Sequence, residues 1–165
     1  MEAKFEVKMT QKVMYNFLLN HTYRSAAGVV GLLFGLSAFV LCIVTFGNVP
    51  VWQSILYLLF GIWFFLYLPL NLYLRSKKQV KGNPVFQKPI CYVVNDNGIS
   101  TMQGDKNALI EWKDLLKVRE TKISLLVYTG KRYSFVLPKE SMGEQYAKVT
   151  ELIEKHMDPK KVKLK

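Results

Sequence analysis

Two long stretches without a single charge dominate this chain. Ala26 to Phe46 reads AAGVVGLLFGLSAFVLCIVTF, and Val51 to Leu74 reads VWQSILYLLFGIWFFLYLPLNLYL. A helix rises about 1.5 Å per residue, so each stretch covers the roughly 30 Å of a bilayer's hydrocarbon core. Only Gly47-Asn48-Val49-Pro50 separates them. Four residues allow a turn and nothing more, so the sequence predicts an antiparallel transmembrane hairpin over residues 26–74, with spans 26–46 and 51–74 and a turn at 47–50. A secretory signal would need a basic start, a shorter apolar core and a small-residue cleavage site. Here some 25 polar and amphipathic residues come first.

Basic residues set the expected direction. The connecting turn has none. Arg75, Lys77, Lys78 and Lys81 follow the second span, and Lys4, Lys8, Lys12 and Arg24 precede the first. The positive-inside rule then places both termini in the cytoplasm of a multi-pass plasma-membrane (bacterial inner-membrane) protein. Tyr23 and Tyr73 near the basic side, and Trp52 near the turn, suit the interfacial preference of amphipathic rings. Pro69 is expected to kink the second span. Ala27, Gly31 and Gly35 repeat every four residues, a face on which another helix can approach closely. The reading favoured is packing against the second span, with Gly61 and Ser54 as neighbours; a homo-oligomer contact is the alternative.

Outside the hairpin the patterning changes twice. In residues 1–25, Phe5, Val7 and Met9 alternate with Lys4, Glu6 and Lys8, which is strand periodicity. Thr10 can cap a following helix whose apolar face carries Val13, Met14, Phe17, Leu18 and His21. That helix fits along the membrane interface or over a soluble core equally well. Residues 75–165 read as short strands: Ile90 to Val94, Ile99 to Gln103, Ala108 to Trp112, Leu115 to Thr121, Ser124 to Tyr128 and Tyr133 to Leu137. Asp96-Asn97-Gly98 is a hairpin signal, and Thr129-Gly130-Lys131 a second turn. Ser141-Met142-Gly143-Glu144 matches a capping box. Behind it Tyr146, Val149, Leu152, Ile153 and Met157 form a helical stripe. Asp158-Pro159 ends that helix and a basic tail follows over 159–165.

Six or seven antiparallel strands closed by one helix make an α+β membrane protein whose small β-barrel or sheet resembles the pleckstrin-homology architecture. Trp112 is expected in the core of that soluble domain. A family resemblance rests on several runs together: Phe5-Glu6-Val7-Lys8, Tyr15 to Phe17, His21-Thr22-Tyr23-Arg24-Ser25, the hairpin, Glu111-Trp112-Lys113-Asp114-Leu115, Val118-Arg119-Glu120-Thr121-Lys122, and Leu137-Pro138-Lys139. In that order they resemble the YcxB-like proteins of bacteria. The resemblance implies a membrane hairpin with a pleckstrin-homology-like cytoplasmic domain, and implies no activity, catalytic residue or cofactor.

No chemistry is assembled in the sequence. Cys42 is mid-span and Cys91 lies in a strand, so both read as packing residues. His21 and His156 lack the convergent partners a zinc site needs. There is no phosphate-cradling loop and no nucleophile elbow. Glu111, Asp114 and Glu120 stand among Lys113, Lys117 and Lys122 and read as a solvated, salt-bridged face. The expectation is a protein that is not an enzyme and uses no metal or cofactor. The net charge is +11. Residues 75–165 hold 19 Lys and Arg against 10 Asp and Glu, and an anionic leaflet attracts such a surface by about 1 kcal/mol per nearby basic residue. Arg75, Lys77, Lys78 and Lys81 are therefore candidate contacts to anionic lipid. No nucleic-acid motif accompanies the charge. The expected role is a membrane-anchored module binding an unknown protein partner, with an anionic-lipid sensor as the alternative and a subunit of a transport assembly below both.

Overall fold

The computed structural model describes residues 1–130 and 133–164. The chain divides into two compact units. One is built from Met1–Phe17 together with Gln79–Lys165, the other from Leu18–Lys78.

The first unit begins with β1 (Glu2–Val7), whose Ala3, Phe5 and Val7 are buried while Glu2, Lys4 and Glu6 face out. This strict alternation is what a half-buried strand requires. After it starts α1 (Gln11–Tyr23). Thr10 caps that helix through its hydroxyl, which accepts from the Val13 amide at 3.3 Å, and Val13 and Met14 are buried. The long helix described below ends at Gly82 and is followed by the short α4 (Pro84–Gln87), capped by Asn83. Then come β2 (Ile90–Asn95), β3 (Gly98–Gln103) and β4 (Lys106–Glu111). The sheet order is β1-β2-β3-β4, all antiparallel. The N-terminal strand thus pairs with residues some 90 positions away, Glu2 opposite Asn95.

A second sheet holds β5 (Lys117–Glu120), β6 (Ser124–Tyr128) and β7 (Ser134–Pro138). A short helix α5 (Lys139–Met142) leads by a 3-10 turn into α6 (Tyr146–His156). The chain finishes in β8 (Val162–Lys163), parallel to β5, so the order is β7-β6-β5-β8. One apolar core spans both sheets and α6, with Val94, Ile99, Leu115, Val118, Leu125, Leu137, Leu152 and Ile153 fully buried.

Two expectations are corrected. No barrel closes: the described strands form two separate four-stranded sheets, because a 3-10 turn at Trp112–Asp114 takes the chain out of the first ladder before β5 begins the second. The capping box at Ser141–Glu144 does not form. Gly143, at φ +49°, interrupts the chain there, and α6 starts at Tyr146 behind Gln145 with no side-chain cap. Part of the basic tail is ordered: Asp158 caps a 3-10 turn, accepting from the Lys160 amide at 2.9 Å, and that turn delivers β8 to the edge of β5. In the second expected turn, Lys131 lies outside the described residues.

The other unit is a helix pair. α2 (Ala26–Val44) is capped by Ser25, whose Oγ accepts from the Gly28 amide at 3.1 Å. The partner helix α3 (Val51–Gly82) runs 32 residues, unbroken through Pro69 and on past Arg75, and its last residues belong to the first unit. Both helices are long and apolar enough to span a membrane, and most of their large apolar side chains are exposed. A soluble protein would bury such faces.

Candidate functional site

The expected lipid-contact residues sit where α3 leaves its apolar stretch. Arg75, Lys77, Lys78 and Lys81 are all exposed on its last two turns, while Ser76 between them is fully buried. Lys81 in the final turn also complements the helix dipole. Among the small residues of α2, Gly35 meets α3: a Cβ there would lie 3.1 Å from Phe64 Cβ and 3.2 Å from the Phe65 ring. Gly31 has open space around it and Ala27 is exposed. Gly61 on α3 admits the Phe39 ring, which would stand 3.0 Å from an added Cβ. Ser54 is buried, and its carbonyl accepts from Cys42 Sγ at 3.5 Å. Gly35 is therefore the close approach of α2 to α3, with Ala38 also buried, while Gly28 is buried against the Thr22 carbonyl.

Trp112 is buried in the core of the first unit. Its indole N–H donates to the Asn95 carbonyl at 3.0 Å, and its ring stacks on His156 at 5.2 Å. Beside it the β2–β3 hairpin tip is tied to α6. Asp96 accepts from the Met1 ammonium and from Lys155 Nζ, each at 2.9 Å, and His156 Nε2 is 3.3 Å away. The Met1 ammonium first and then Lys155 hold the Asp96 carboxyl down at about 2. These ties join groups 59 and 95 positions apart, so no local pattern announced them.

The three carboxylates do not share a site. Glu111 pairs with Lys113 at 2.6 Å on an exposed surface, and Asp114 is exposed. Glu120 departs from the solvated face expected of it. It is buried, accepting from Lys139 and, at 2.9 Å, from the Tyr146 hydroxyl. The hydrogen bond to Glu120 raises the Lys139 pKa; burial, and then the same carboxylate, raises that of Tyr146. The alternation along β5 could have flagged it, since Val118 and Glu120 point the same way. Among the described residues no group of His, Cys, Asp and Glu could hold a metal ion.

Between the two sheets, where a barrel would have closed, the first unit keeps a cavity of about 780 Å³. Met14, Phe17, Phe86, Tyr92, Phe135 and Val136 form its apolar wall. Tyr92 is 3% exposed, stacked on Phe5 at 5.8 Å and met edge-on by Phe135 at 5.9 Å.

Comparison with known proteins bears on part of this unit. Residues 94–153 match the family model described as YcxB-like protein. The resemblance read from the Trp112, Val118 and Pro138 runs is borne out over that stretch, which extends from the end of β2 into α6. No curated protein and no solved structure matches the chain.

Proposed function

We propose that this chain is a two-span plasma-membrane protein that holds a pleckstrin-homology-like module at the cytoplasmic face, where it recognises another protein by strand addition. The observation that carries this reading is β4. It pairs with β3 alone among the described residues, and Lys106, Asn107, Ala108, Leu109 and Glu111 are exposed along it. An unpaired strand edge offers a row of backbone donors and acceptors to an incoming segment. Four antiparallel strands, three more and a C-terminal helix support the pleckstrin-homology comparison, and the long exposed apolar stretches of α2 and α3 support the anchor. That architecture is a scaffold with many uses, so the role rests on the edge and not on the fold. We assign no catalysis, because no described cluster begins to meet the requirements of an active site.

A second reading has its own support. Arg75, Lys77, Lys78 and Lys81 are exposed directly after the apolar stretch, as an anionic-lipid contact requires. One experiment separates the two. Photo-crosslinking from position 109 in intact cells should trap a protein adduct of one discrete mass, unchanged by Lys77/Lys78/Lys81→Gln. Adducts to lipid alone, lost in the triple variant, would replace partner binding with the lipid reading.

A further inference from the structure

Tyr92 is a buried residue that carries a hydroxyl at the tip of its ring. The ring is held on two sides by Phe5 and Phe135. Burial alone pushes its pKa up to about 12, and the hydroxyl makes no hydrogen bond among the described residues. Tyr92 borders the cavity between the sheets, whose volume lies within the roughly 300–1,000 Å³ of small-ligand sites.

The cavity's chemistry narrows the guest. Its wall is apolar and aromatic, and no Asp or Glu lines it among the described residues. Lys106, exposed at the start of β4, is the cation on its border, with Gln103 and Asn107 beside it. Phe17 and Gln79 also line it. An apolar body with one anionic, hydrogen-bonding end satisfies all of these features together.

We propose that this cavity binds one long-chain fatty acid, its alkyl chain against Met14, Phe86 and Val136 and its carboxylate accepting from the Tyr92 hydroxyl and facing Lys106. The site borders the first residues of β4, Lys106, Asn107 and Ala108, whose backbone edge carries partner recognition, and none of the lysines of α3 lines it.

The test uses the full chain in phosphatidylcholine nanodiscs with a diazirine-bearing palmitate. Adducts should map to Met14, Phe86 and Val136, saturate with probe, and be displaced by unlabelled palmitate. Tyr92→Phe keeps both ring contacts and removes the hydroxyl, so it should raise the palmitate concentration needed roughly 3- to 10-fold. Ala108→Trp, at an exposed position on the cavity border, should block labelling without disturbing the core. Hexadecanol should compete less well than palmitate. Labelling confined to α2 and α3 and linear in probe, or cavity labelling unchanged in both variants, overturns the proposal. Equal competition by hexadecanol overturns its carboxylate.

Discussion

Gly98→Ala should damage the first unit far more than Gly104→Ala, although both glycines belong to tight hairpin connections. Gly98 has φ +148° and opens β3 opposite Glu111 of β4. A Cβ there would lie 2.1 Å from the Ile110 carbonyl oxygen and 3.0 Å from Glu111 Cα, both backbone atoms. Ordinary contact begins near 3.4 Å, so β4 would have to retreat by more than an ångström. Holding an L-residue at such a φ costs about 1–3 kcal/mol. Loosening the adjacent ladder bonds adds about 1–2 kcal/mol. The sum, about 2–5 kcal/mol, is a large share of the roughly 5–15 kcal/mol that stabilises a domain. Gly104, at φ +59°, has nothing within 4 Å of an added Cβ, so only the left-handed conformation is penalised, by about 1–2 kcal/mol. The assay is native-state hydrogen exchange of the full chain, following the slowest amides of β2, β3 and β6, with those of α2 as internal reference. Exchange should accelerate roughly 30-fold to several-thousand-fold for Gly98→Ala and roughly 5- to 30-fold for Gly104→Ala. Equal effects, or a larger one at Gly104, would refute the assignment of the clash to the β4 backbone.

Two further outcomes follow from the core and from the hairpin tip. Trp112→Ala should cost about 3–5 kcal/mol as a large-to-small core substitution, whereas Trp112→Phe, losing chiefly the N–H donated to Asn95, should cost about 1–2 kcal/mol; the ratio is read from the same exchange experiment. Asp96 titrates at about 2 in the folded protein, below its ordinary 3.8. Its ion pairs therefore stabilise the fold fully above the ordinary value, and that contribution disappears as pH falls from about 4 toward 2. Asp96→Asn should flatten this part of an acid unfolding curve, and a curve identical to that of the unmodified protein would show that the ties to Met1 and Lys155 do not stabilise the fold.

Much of the architecture was legible because it is local. An uncharged apolar run long enough to span a bilayer has few other solutions, and α2 and α3 follow from composition and length. Phe5 and Val7 announce β1 by alternation, although the strand runs Glu2–Val7 and stops before Met9, Asp96-Asn97-Gly98 announces the β2–β3 turn, and Val149, Leu152 and Ile153 announce α6 by spacing. Each signal lies within a window of a few residues, where side-chain period and turn conformation are set by the neighbours in the chain.

What the tertiary structure decided is long-range. Nothing within Glu2–Val7 says that it pairs with Ile90–Asn95 across the helix pair, that the strands stop as two sheets short of a barrel, or that two residues of a lysine-rich tail join β5. Likewise Glu120 becomes a buried acceptor only because Lys139 and Tyr146, 19 and 26 residues later, come to meet it. The cavity beside Tyr92 is a property of two sheets that do not close, and a gap between faces has no pattern along the chain. Local periodicity tells each segment which of its faces must be buried. Which faces are buried against one another, and what space they leave, depends on shape and on partners distant in sequence.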